Sequence, residues 1–327
     1  MNNDIDLTAL SALVAPAAQA AAHSASTPAA SLQRIEGATP GCYALMITDT
    51  AYHRDYPGAS STALKKLLRS PAHYQAYLKA PDVDSEARRF GRAVHALLLE
   101  RPLFLEKFAV WADGRRAGKK YDEFCALQAG KTILNESEYN RAMEAALALR
   151  QCPDFPLFGD WLDGAGANGT AESVPPARTE FSIFWQETVG EGEEAGVVQC
   201  KARVDAHSPP PHRISVDVKT TDDVREEAFM HQFMRLDYDL QAAHYCAGLR
   251  AFYGEEYQFL FAAVESQEPF ATRIFEIEKD VFLNGRRKRN MALARLLECQ
   301  RTNTWPSYPA GIRTLRLRPF DRFPDQE

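Results

Sequence analysis

Between residues 201 and 245 the chain gathers two carboxylates, a lysine, a glutamine and a tyrosine. Asp205 closes the run CKARVD, and Asp217 lies inside SVDVKTT with Lys219 just beyond it. Side chains alternate along a strand, so Asp217 and Lys219 share one face of a strand predicted over 214–219, with Val218 on the other. Two acids able to share a divalent cation, beside an amine able to hold or polarise a water, suit phosphodiester hydrolysis. Farther on, DYDLQAAHY has helical spacing. The i, i+4 separation puts Gln241 and Tyr245 on one face of that helix.

These residues need strands and helices to hold them. EFSIFWQ (180–186), 197–205 and 214–220 read as three strands joined by GEGEEAG and HSPPPH, which makes an antiparallel meander. A helix over 224–234, the Gln241 helix over 240–252, a strand at 257–264 and a hairpin partner at 272–278 follow. A last helix over 279–301 carries the basic run Arg286 to Arg289, a solvated face or a phosphate contact. Upstream, FGRAVHALLLE places Phe90, Val94, Leu97 and Leu98 at helical spacing, with His95 beside that packed face. From this segment alone, His95 reads as an ordinary core histidine.

Ser60 and Ser61 precede a helix as capping residues, and Ser70-Pro71 ends it and starts another over 71–78. WADGRRAGKK (111–120) is a basic loop, either solvated or in contact with phosphate. Helices are predicted over 121–129 and 137–150, the second with Asn135 and Glu138 spaced as a capping box. Residues 152–176 read as a loop or insertion rich in Pro, Gly and Asp. Residues 1–38, rich in Ala, Ser, Thr and Pro, read as a disordered leader with one short helix near 7–13. This divides the chain into that leader, one domain over 39–310 with a helical part (39–150) and a sheet-bearing part (176–310), and a tail over 311–327.

The 327 residues, 45% of them hydrophobic, suffice for a substantial core. No apolar run approaches the roughly 20 residues that span a bilayer. The N-terminus is acidic where a secretory signal would be basic, and the six cysteines are scattered without a CxxC pair. Reduced cysteines and a cytoplasmic location are therefore expected. A net charge of −6 argues against coating nucleic acid without specificity, but not against gripping DNA in one groove.

The segments YHRDYPGASSTALKKLLRSPAHY, FGRAVHALLLE, CKARVD, SVDVKTT, YDLQAAHY and VESQEPF, in this order, resemble the PD-(D/E)XK nuclease superfamily in its RecB-like branch. Within it, they are most similar to the RecE-type exonucleases (exodeoxyribonuclease VIII) of phages and prophages. The resemblance spans about residues 50–310, and Val204 stands where the motif has its proline. It implies an α/β (α+β) restriction-endonuclease-like core: a central mixed sheet with an antiparallel three-strand meander, flanked by helices. It also implies that His95, Asp205, Asp217 and the Val218 carbonyl hold one or two Mg2+ ions, that Lys219 serves the attacking water, and that Gln241 and Tyr245 orient the scissile strand. An imidazole suits softer ions better, so Mn2+ is an expected substitute. The implied activity is 5′-to-3′ digestion of linear double-stranded DNA, leaving 3′ single-stranded tails. The implied partners are DNA ends, a single-strand annealing recombinase and further copies of the chain in a ring, with no membrane.

Three alternatives differ in outcome. An endonuclease or single-strand nuclease of the same fold would cut circles or single strands. A non-catalytic DNA-end-binding module would bind without cutting. An unrelated metal hydrolase would cleave a small phosphate ester and ignore DNA, and no phosphate-cradling glycine loop supports it.

Overall fold

The computed structural model describes residues 34–80, 84–155, 158–163 and 177–315. The helix expected at 7–13, most of the leader and the end of the tail lie outside these residues. In chain order come β1 (Arg34–Glu36), β2 (Tyr43–Leu45), α1 (Asp49–Arg54), α2 (Ser61–Arg69), α3 (Pro71–Lys79), α4 (Glu86–Leu99), α5 (Phe104–Lys107) and β3 (Phe108–Trp111). Next are α6 (Lys119–Leu127), β4 (Thr132–Asn135), α7 (Glu136–Arg150), α8 (Phe158–Asp163), β5 (Arg178–Val189), β6 (Gly196–His207) and β7 (Ile214–Thr221). The chain continues with α9 (Glu226–Arg235), α10 (Tyr238–Tyr253), β8 (Gln258–Glu265), β9 (Thr272–Glu276) and α11 (Lys279–Thr302).

Seven strands form one mixed sheet in the order β1-β2-β5-β6-β7-β8-β9. β5, β6 and β7 pair antiparallel, the expected meander, while β7 and β8 run parallel with Asp217 opposite Phe261. The parallel pair arises because α9 and α10 carry the chain back across one face before β8 begins. Two apolar layers cover the two faces. Val216 and Val218 of β7 pack with Val94 and Leu97 of α4 and Leu149 of α7. Val204, Phe261, Leu64, Leu240, Leu249 and Leu293 form the opposite layer, under α2, α10 and α11. Each fully buried Val or Leu contributes about 1.5–3 kcal/mol. This anchors β7 with its valines on the α4 side, which leaves Asp217 and Lys219 toward α10.

The helix ends follow local chemistry. Ser60 Oγ accepts the Ala63 N–H at 3.3 Å and caps α2, and Ser70 Oγ accepts the His73 N–H at 3.2 Å and caps α3 behind Pro71. Asn135 and Glu138 form the expected capping box of α7.

Details differ from the sequence reading, among them strands β2, β3 and β4 where it predicted none. The sheet begins at Arg34, ahead of the boundary placed at 39, because β1 pairs with β2. Residues 152–176 contain α8, since Phe158 and Trp161 are buried and Trp161 Nε1–H donates to Ser208 Oγ at 2.8 Å. In the 111–120 loop, Arg116 is engaged by Glu138 and the Ile133 carbonyl. The basic run on α11 is divided: Arg286 and Arg287 are exposed, whereas Arg289 is buried against Glu187 and His244, and Lys288 pairs with Asp237 and Asp239. Among the described residues no helix is long and apolar enough to cross a membrane.

Candidate active site

The side chains singled out in β6, β7, α4 and α10 converge at the middle of the sheet. Asp217 is buried on β7, and its carboxylate pairs with the Lys219 ammonium on the same strand face. Its Oδ1 accepts the Gln241 Nε2–H from α10 at 2.7 Å. Asp205, from the neighbouring strand, accepts the Val218 N–H on Oδ2 at 2.8 Å. His95 reaches in from α4: Nε2–H donates to the Val218 carbonyl at 3.0 Å, and Nδ1 stands 3.6 Å from Asp205 Oδ2. That separation exceeds a hydrogen bond, and Nδ1 faces the carboxylate.

Electrostatics bind the group into one unit. Burial, and next the negative Asp217, push the Asp205 carboxyl up to about 7. Burial works against the Lys219 charge, yet Asp217, Tyr238 and Asp205 outweigh it and hold the ammonium more firmly protonated than in a free lysine. The Tyr245 phenol is raised well above its ordinary value, first by burial and then by Asp217 and Asp205, with the Ser61 hydroxyl as its hydrogen-bond partner. It stays a neutral donor. Gln241 therefore meets the acid directly, whereas Tyr245 faces Ser61 beside it.

A buried acid whose proton affinity is raised by a second acid beside it calls for a cation, and the donors present fit a divalent one. His95 offers Nδ1 while its other ring nitrogen is fixed by a backbone carbonyl, the usual support of a metal-binding imidazole. The Val218 carbonyl retains a second lone pair. Donor atoms of His95, Asp205 and Glu180 also lie within 4.8 Å of one another.

Two residues at this site escaped the sequence reading. Glu180 projects from β5 and pairs with Arg203, and its only sequence signal is an acid at the start of EFSIFWQ. Lys65, from α2, donates to Gln241 Oε1 at 3.1 Å. Of the consecutive Lys65 and Lys66, sequence alone does not say which one turns inward.

Among solved structures, the chain is similar to a candidate exonuclease of Eubacterium rectale at 15% identity and a TM-score of 0.48, over 81% of this chain and 96% of the other. It is also similar to a phage-related exonuclease from Haemophilus somnus, at 14% identity and a TM-score of 0.29, over 77% and 98%. No curated protein matches its sequence. A family model described as a PDDEXK-like domain of unknown function (DUF3799) matches residues 60–317. That match takes in all the converging site residues, and the chain belongs to this PDDEXK-like family.

Proposed function

We propose that this PDDEXK-like nuclease is a metal-dependent exodeoxyribonuclease that hydrolyses linear double-stranded DNA from its ends, 5′ to 3′, leaving 3′ single-stranded tails for recombination by strand annealing. The observation that carries the hydrolytic part is the chain of contacts Lys219–Asp217–Gln241 set beside Asp205 and His95. Asp205, Asp217, His95 through Nδ1 and the Val218 carbonyl would hold the divalent ion, Mg2+ with Mn2+ as substitute. Such an ion lowers the pKa of a bound water and offsets charge on the phosphate.

The chain's own groups do the rest. Lys219 is held protonated, so it acts as a cation that positions the water or stabilises charge on the phosphate, rather than as a base. Gln241 fixes Asp217 and offers its amide to the scissile strand. Tyr245, neutral and half-buried, donates a hydrogen bond on the same side. The duplex-end preference, the polarity, a ring of several copies and a strand-annealing partner rest on the resemblance to RecE-type enzymes.

Linear duplexes labelled at the 5′ or 3′ end, with a circular control, test the reading in Mg2+, Mn2+ and chelator. Early loss of the 5′ label and an untouched circle are expected. Cutting of the circle would move the assignment to an endonuclease, and binding without cleavage to a non-catalytic module. Mass measurement in solution, with and without DNA, tests the ring.

A further inference from the structure

Lys65 is a half-buried lysine that, among the described residues, has no acid in ion-pair contact, although Asp217, Asp237 and Asp239 act on it from farther away. It projects from α2 into the gap between α10 and β7, while its neighbour Lys66 is exposed. Among the described residues its hydrogen-bond partner is Gln241 Oε1, and it forms an ion pair with no carboxylate. An ammonium has three donors, so donor capacity remains. Its Nζ lies 5.1 Å from the Tyr238 ring centroid, and Lys219 Nζ lies 4.7 Å from the same ring. Two ammonium groups thus face one aromatic ring, and the Asp217 carboxylate that acts on both is already taken by Lys219 and Gln241.

Such a placement is costly for a free protein. Burial first, and then the Lys219 charge, lower the Lys65 pKa to about 7. An anion arriving at this position would offset that cost and fill the open donors. A phosphodiester has the required chemistry: one negative charge shared over two non-bridging oxygens, each able to accept from an ammonium.

We propose that Lys65 is a phosphate-binding residue of this site, meeting a backbone phosphate of the DNA strand held at Asp217 and Lys219. The proposal rests on the nuclease reading. The Lys65–Gln241 contact has a second consequence. Because Gln241 Oε1 accepts from Lys65, its Nε2–H is turned toward Asp217. One side chain thus reads the phosphate and keeps the amide oriented.

The test compares wild type with Lys65→Met and Lys65→Arg on linear duplex DNA. Binding is measured across a salt series in Ca2+, digestion in Mg2+, and Mn2+ affinity by calorimetry without DNA. Lys65→Met should raise KM several-fold and reduce the slope of log affinity against log salt by about one, the signature of one lost phosphate contact. Its Mn2+ affinity should match wild type, and Lys65→Arg should restore the salt slope. A wild-type KM and slope in Lys65→Met would overturn the proposal while leaving the nuclease reading intact. A fall in kcat with an unchanged slope would overturn it too, reducing Lys65 to a support for Gln241. If wild type neither binds nor cuts DNA in Mg2+ or Mn2+, the nuclease reading fails and this proposal with it.

Discussion

Glu180 stands across from Asp205 in the β5–β6 pair at the one step where the ladder is interrupted, between Thr179 opposite Ala206 and Phe181 opposite Val204. Its φ is +50°, a left-handed conformation inside a strand. For a residue with a Cβ this costs about 1–2 kcal/mol. What holds it is the carboxylate's pairing with Arg203, whose side chain is 9% exposed and would otherwise be a buried charge lacking its closest acid. Loss of one partner of a buried pair costs about 3–5 kcal/mol, which exceeds the strain. Glu180→Gly, relaxed in its backbone, is therefore expected to be less stable than wild type. Glu180→Ala, which keeps the strain and loses the pair, should be the least stable of the three. Denaturant unfolding gives the ranking, and a Glu180→Gly protein more stable than wild type would show that the pair does not hold the backbone.

Asp217→Asn and Lys219→Met should each lower cleavage by about 10²-fold or more, the scale seen when a charged group aimed at developing charge is removed. They should differ in metal binding. Calorimetry should show Mn2+ affinity lost in Asp217→Asn and retained in Lys219→Met. Each single change leaves its partner buried and unpaired, whereas the double variant removes both charges. The double variant is thus expected to be inactive yet more stable than either single one. Full activity in either single variant would remove these residues from the reaction.

His244 links the site's support to pH. Its Nε2–H donates to the Lys201 carbonyl at 3.1 Å, and its Nδ1 accepts from Arg289 Nε at 3.3 Å, so only the neutral ring fits. Burial, then Arg289, hold its pKa down to about 3, from an ordinary value of 6.5. His207, buried and next to Arg178, is likewise held to about 3. Between those values the unfolded chain takes up protons that the folded one refuses. Their contribution is therefore fully present above pH 6.5 and is lost below it, by about 1.4 kcal/mol per pH unit for each histidine. Asp205, its carboxyl raised by burial and Asp217, works in the opposite direction over the same range, so denaturant unfolding from pH 7 to pH 5 should show a net fall in stability smaller than the two histidines alone would give. It should be shallower in His244→Gln, whose amide can still donate to Lys201; an equal fall in that variant would exclude His244 as a source.

The parts of the site legible in the sequence are those with a short period. Asp217 and Lys219 alternate with Val218, and Gln241 and Tyr245 lie one helical turn apart, so local geometry alone places each pair. The capping box at Asn135 is local in the same sense. Glu180 and Lys65 are different. Glu180 matters because of the β5–β6 register and a single left-handed residue, and neither leaves a pattern along the chain. Lys65 depends on which face of α2 meets α10. The run at 286–289 shows the converse: its four cations look alike in sequence, yet Arg289 is buried on Glu187 while Arg286 and Arg287 are exposed. Pairing partners that lie far away in the chain decide between them.

Gly285 ties the far helix to the site. α11 crosses α10 so closely there that an added Cβ would fall onto the carbonyl of Asp239, with the Leu240 nitrogen 3.0 Å away. Around it, Asn284 Nδ2–H donates to Asp239 at 2.7 Å and Lys288 Nζ donates to Asp237 at 2.7 Å, so this stretch of α11 clamps the first turn of α10. Gln241 follows directly. A clash with backbone is not relieved by rotating a side chain, so Gly285→Ala must shift one helix and should cost about 1–3 kcal/mol or more. The same shift moves the Gln241 amide off Asp217, and cleavage should fall with stability. Arg286→Ala, on the exposed side of the same turn, is the control and should change neither. If Gly285→Ala unfolds at the wild-type denaturant concentration, α11 does not hold α10 in place. If it is destabilised but cleaves at the wild-type rate, the position of Gln241 does not depend on this crossing.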